Sequence, residues 1–178
     1  MKRLLAFLFL ACLVPVSRAS AADVSLGVSL GTTSPSETVD GTDGMHWNLR
    51  APMHLVPLVM VEPFFAQATL GDQDFSAPPV SFTLKGATFT TVGTRVGLSF
   101  GDRVSVQPYL GVGWTRFKYL GYSESKLSYL GGLGLSVGLI PRLRLDARAE
   151  QHTVPLDLGS RGMFNLSLGV STPLVALP

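Results

Sequence analysis

The feature that most constrains this chain is alternation of period two. Val104-Ser105-Val106-Gln107 begins one stretch, and Leu110-Gly111-Val112-Gly113-Trp114-Thr115 continues it. Its even positions are bulky and apolar, whereas Ser105, Gln107, Tyr109, Gly111, Gly113 and Thr115 fill the odd ones. The clearest case is Arg142–Glu150. Leu143, Leu145, Ala147 and Ala149 share one face, and Arg142, Arg144, Asp146, Arg148 and Glu150 share the other, with His152 next in step. A strand sends successive side chains to opposite faces, while a helix would scatter those charges around its axis.

Read this way, the chain offers eight strands, at 23–31, 45–55, 57–70, 87–100, 103–118, 127–140, 142–152 and 162–172. Gly101-Asp102 and Pro141 join neighbours tightly, as does the Val56-Pro57 region, where Pro52, Pro57 and Pro63 weaken strand character. The other connections are longer and polar: Thr32–Gly44, Gly71–Gly86, Lys118–Lys126 and Thr153–Arg161. Short and long therefore alternate, which collects the short turns at one end of a barrel and the long loops at the other. No apolar run long enough for a membrane-spanning helix follows the N-terminal segment. Only 15% of the 178 residues are charged, against about 25% in an ordinary soluble domain. This excludes a disordered chain and a coiled coil.

The N-terminus reads as an address. Met1-Lys2-Arg3 is basic, Leu4–Val16 is apolar, and Ala19-Ser20-Ala21 is a small-residue cleavage site. The expected organisation is a signal peptide at 1–21 and a barrel domain at 22–178. Removal of Lys2, Arg3 and Arg18 takes the 14 cationic residues to 11 against 12 acidic ones, so a net charge of +2 becomes −1. The basic balance thus belongs to targeting, and nucleic acid is not an expected partner. Cys12 leaves too, so the mature chain has no cysteine.

Gly93–Lys118 and Leu127–Gln151 resemble paired hairpins of the small outer-membrane β-barrel proteins, the OmpA-type barrel superfamily. The resemblance rests on the glycine-spaced wording of Val96-Gly97-Leu98-Ser99-Phe100 and Leu133-Gly134-Leu135-Ser136-Val137-Gly138. It implies an all-β fold: an eight-stranded antiparallel up-and-down transmembrane barrel with short periplasmic turns and longer extracellular loops. It also implies a monomer in the outer membrane of a Gram-negative bacterium. Its partners would be outer-membrane lipid and lipopolysaccharide, and the barrel-assembly machinery during insertion. The chain departs from the superfamily at its end, Pro173-Leu174-Val175-Ala176-Leu177-Pro178, which lacks the terminal aromatic residue members often carry.

In such a barrel the apolar face meets lipid. Trp47, Phe100, Trp114 and Tyr129 would form an interfacial girdle near strand ends. A soluble barrel of lipocalin type is the inside-out alternative, which alternation alone leaves open. Low charge and an excess of Gly on the polar face favour lipid. The interior would then hold a polar network of Arg50, Glu62, Arg95, Arg144, Asp146, Arg148, Glu150 and His152. Charges there must pair, because unpaired buried charge is costly. A plugged barrel is therefore expected over a pore.

Chemistry is sparse. The lipid A deacylases, barrels of similar length, carry His-x-Ser-Asn near the seventh strand, where this chain has His152-Thr153-Val154-Pro155. Parity turns Thr153 away from His152, so the expectation is a non-enzyme, with Glu150 and His152 as the one conceivable acid–base pair. His46, His54 and His152 lack metal-ligand spacing, and Asp40–Gly44 lacks the full series of a calcium loop. No metal or cofactor is expected. The chain reads as a structural or surface-interaction protein, with a narrow solute pathway, a lipid A acyl hydrolase or a soluble binding barrel as alternatives.

Overall fold

A computed structural model describes residues 23–36, 41–77, 80–140, 142–157 and 159–176. The expected signal segment, Asp40 and Pro141 lie outside the described residues. The strands are β1 (Asp23–Pro35), β2 (Thr42–Arg50), β3 (Met53–Val56), β4 (Val59–Gly71), β5 (Gln73–Ala77) and β6 (Val80–Leu84). They continue as β7 (Thr88–Leu98), β8 (Val104–Tyr119), β9 (Tyr122–Ile140), β10 (Leu143–Leu156) and β11 (Gly159–Ala176).

Every sheet pairing is antiparallel. The order β11-β10-β9-β8-β7-β4-β2-β1 closes through β11–β1, so the sheet has no free edge around its girth. β3 continues β2 and pairs with both β1 and β4. Proline explains the break. Pro52 has no N–H for the ladder, although its carbonyl still accepts from the Ser25 N–H at 2.9 Å. Counting β2 and β3 as one interrupted strand, the ring has the eight strands that alternation predicts.

Burial settles which face is which. On β8 the pattern alternates strictly, with Ser105, Gln107, Tyr109, Gly113, Thr115 and Phe117 buried. Leu110, at 74% exposure, and Trp114, at 60%, point outward. The same holds on β1, where Leu26, Val28 and Leu30 are exposed and Ser29 is buried. The apolar surface is therefore outside and the polar surface inside, the inverse of a soluble barrel. From Val104 to Trp114 the outward apolar run covers ~33 Å of strand at ~3.3 Å per residue. At a tilt of ~40° that is ~25 Å along the membrane normal, the height of an outer-membrane belt.

Three expectations need correction. Lys118–Lys126 and Thr153–Arg161 are not open loops. β8 and β9 stay paired out to Tyr119↔Tyr122, and β10 and β11 out to Leu156↔Gly159. The β8–β9 turn is two residues, Leu120 (φ 45°) and Gly121 (φ 84°), the left-handed pair of a type I′ hairpin. Beyond the membrane both faces of a strand meet water, so the apolar–polar contrast fades while the backbone ladder continues. Second, Gly71–Gly86 carries its own hairpin, β5–β6. It is clasped at its base, where Lys85 Nζ lies 2.8 Å from Asp72 Oδ2 and the Gly86 N–H donates to Asp72 Oδ1 at 2.9 Å. These donors hold the Asp72 carboxyl below its ordinary range. Third, the girdle is one-sided: Trp47, Trp114 and Tyr129 gather toward the loop end, with Phe65 5.3 Å from Trp47, and Phe100 alone lies at the turn end.

Candidate functional site: the barrel interior

The interior is built from alternate residues of all eight strands, and it is layered. At mid-height sits a charged layer with Glu62 at its hub. Arg148 grips Glu62 with both terminal nitrogens, Nη1 donating to Oε1 and Nη2 to Oε2, each at 2.6 Å. Arg95 Nη1 donates to the same Oε1 at 2.8 Å, and Arg50 Nη1 lies 3.5 Å from Oε2. The other carboxylates close the network. Arg95 Nε donates to Glu150 at 2.7 Å, and Arg50 Nη2 to Asp146 at 2.7 Å, which also accepts from Ser171 Oγ. These three arginines and three carboxylates are each at most 5% exposed. Equal numbers of opposite charges, joined by bidentate and charge-assisted bonds, are the arrangement that makes buried charge tolerable. The Arg95 guanidinium carbon also lies 3.8 Å over the Phe64 ring centroid.

The glycines make room for these long side chains. Across the ladders Arg50 faces Gly27, Arg95 faces Gly111, Asp146 faces Gly169, Arg148 faces Gly134 and Glu150 faces Gly132. A Cβ at Gly132 would come within 2.6 Å of the Tyr109 hydroxyl, and one at Gly27 within 3.1 Å of the Arg50 guanidinium.

Two of the residues assigned to the network stand apart from it. Arg144 is half-buried at the turn-end mouth, where it donates to Ser136 Oγ at 2.8 Å and to the Asp102 carbonyl at 3.0 Å. It is one inward step along β10 from Asp146, which places it outside the enclosed layer. His152 is buried in the layer above, with Nε2 3.4 Å from Thr115 Oγ1, beside the Thr91–Thr115–Ser128 hydroxyl chain. It makes no ion pair among the described residues. Thr153 turns outward from His152, and Glu150 is engaged by Arg95.

Above the polar layers lies a feature that the alternation conceals. Leu70, Ala87, Phe89, Phe117, Val154 and Met163 are inward, buried and mutually packed at the loop end. Phe89 and Phe117 have ring centroids 5.1 Å apart. This apolar cap corrects the expectation of a polar interior throughout. A local signal existed: Phe89 and Phe117 occupy inward parity on paired strands. Reading the apolar face as wholly outward hid it.

A closed antiparallel barrel that is apolar outside and polar within is an integral membrane β-barrel. The chain belongs to the outer membrane protein beta-barrel domain family, whose model matches residues 4–171. No curated protein matches it in sequence. Among solved structures it resembles Neisserial surface protein A, at 14% identity and a TM-score of 0.62, over 89% of this chain and 100% of that one. It also resembles a major outer membrane protein of Thermus thermophilus, at 16% identity and a TM-score of 0.57, over 86% and 100%. The Yersinia pestis outer membrane protein Ail in a phospholipid bilayer nanodisc gives 22% identity and a TM-score of 0.52, over 84% and 99%. At these identities the likeness is one of fold.

Proposed function

We propose that this protein is exported by residues 1–21 and works as a monomeric, plugged outer-membrane barrel. It neither conducts nor catalyses, and its role is structural or surface-facing, carried by the hairpins at the loop end. The observation that carries this reading is the double seal. A charge-balanced layer around Glu62 fills the waist, and the Phe89–Phe117 cap fills the mouth above it. Eight strands leave an interior that side chains can fill. The absence of catalysis is supported by the same packing, since Glu150 and His152 sit inside it with Glu150 bound to Arg95. The expected partners are outer-membrane lipid, lipopolysaccharide and, during insertion, the barrel-assembly machinery.

A narrow solute pathway is the second reading. It is favoured by Ser29 Oγ, Thr33 Oγ1, His46 Nδ1, Asn48 Oδ1 and Asn165 Oδ1 on β1, β2 and β11, buried polar atoms without hydrogen-bond partners among the described residues. Recordings of the purified protein in planar bilayers decide between the two. Silence is expected from the native protein, and from an Arg95→Ala/Arg148→Ala variant whose cap is intact. Discrete openings in the native protein would replace the plug with the pathway.

A further inference from the structure

The outward face of the barrel changes character in one step above Trp114. On β8, the outward residues Val104, Val106, Pro108, Leu110, Val112 and Trp114 are followed by Arg116 and Lys118, both exposed. The ladders give each cation a hydroxyl on either side. Arg116 stands between Thr90 on β7 and Ser125 on β9, and Lys118 between Thr88 and Ser123. Arg116 is exposed, and its Nε donates to Ser123 Oγ at 3.0 Å. Neither cation has a carboxylate partner among the described residues.

Charge is sorted on this rim. From β7 to β10 the outward strand positions above the belt are Thr88, Thr90, Arg116, Lys118, Ser123, Ser125, Gln151, Thr153 and Pro155, without a carboxylate. The nearby carboxylates of Glu124 and Asp157 are engaged instead with Lys126, on the opposite face of β9. Two cations and four hydroxyls, directly above an aromatic at the membrane boundary, are donors at the height where lipid headgroups carry their phosphates.

We propose that Arg116 and Lys118, with Thr88, Thr90, Ser123 and Ser125, form a site for the phosphate of an outer-leaflet lipid whose acyl chains lie along the belt beneath. The site rests on the proposed outer-membrane placement with lipopolysaccharide as a partner, and it holds whether the lumen is plugged or conducts. Each basic residue near an anionic membrane surface contributes about fivefold in binding, so the pair supplies about 25-fold.

Native mass spectrometry of the full mature protein in detergent micelles tests this, with bisphosphorylated lipid A and the same lipid stripped of phosphate as probes. The phosphorylated lipid is expected to bind about 25-fold more tightly. Arg116→Gln/Lys118→Gln is expected to abolish that preference, while Arg103→Gln/Arg142→Gln, at the turn end, keeps it. Inorganic phosphate at equal concentration should displace nothing. Equal binding of the two lipids by the native protein would overturn the site without any variant. So would undiminished preference in the folded, heat-modifiable Arg116→Gln/Lys118→Gln protein, or displacement of the lipid by free phosphate.

Discussion

At the scale of the residue, Glu62 is the position on which the interior turns. It accepts from Arg148, Arg95 and Arg50 and has no solvent exposure. Removing it leaves the buried Arg148 guanidinium without a carboxylate partner, while Arg95 keeps Glu150 and Arg50 keeps Asp146. Glu62→Ala is expected to destabilise the barrel by about 3–5 kcal/mol, because the loss is that of an uncompensated buried charge rather than of one bond. Urea unfolding in lipid vesicles measures it. A cost under about 1 kcal/mol would mean that water reaches the layer and replaces the carboxylate. Gly132→Ala tests the space-making role of glycine. Its new Cβ would meet the Tyr109 hydroxyl and the Ala149 carbonyl, and overpacking of this kind costs about 1–3 kcal/mol. The glycines and the charges were both legible as one polar face. Their opposition across ladders was not, because register between strands is absent from the pattern of either strand alone.

At the scale of the element, the β8–β9 and β10–β11 hairpins at the loop end carry the outcome. Leu120 takes a left-handed conformation that costs a branched side chain about 1–2 kcal/mol. Leu120→Asn is therefore expected to raise stability by about 1 kcal/mol in the same unfolding experiment. The hairpins meet through Lys126, whose Nζ lies 2.6 Å from Asp157 and 2.9 Å from Glu124. This lysine holds the Asp157 carboxyl below its ordinary range, and its own ammonium is held above the ordinary lysine range. A depressed carboxyl stabilises the contact above its unfolded value, and the contribution is lost as pH falls through the folded one. Spin labels on the β8–β9 and β10–β11 tips should keep their separation at neutral pH. They should move apart below the ordinary aspartate range of about pH 4, and Lys126→Ala should part them already at neutral pH. The strand cores were legible because lipid on one side and side chains on the other enforce period two. The hairpin extensions were not, because in water that contrast disappears.

At the scale of the whole molecule, the decisive property is which surface is wet. Leu110 stands in the middle of the outward belt. In a bilayer Leu110→Arg is expected to cost about 2–4 kcal/mol, the penalty of a midplane charge on the lipid face. An unaltered unfolding free energy in vesicles would show that Leu110 does not face acyl chains.

By itself the sequence determined eight strands, their parity, the glycine-bearing polar face and the tight turns at one end. These follow from local chemistry: alternation between two environments, proline without a donor, glycine where φ must be positive. The tertiary structure alone decided the rest. Alternation is unchanged when a barrel is turned inside out, so only closure of the sheet places Glu62 within and Leu110 against lipid. Residues distant along the chain meet only through that closure. Arg148 reaches Glu62 across 86 positions, and Phe89 and Phe117, inward by parity, become a cap only where closure brings Leu70, Val154 and Met163 of other strands against them.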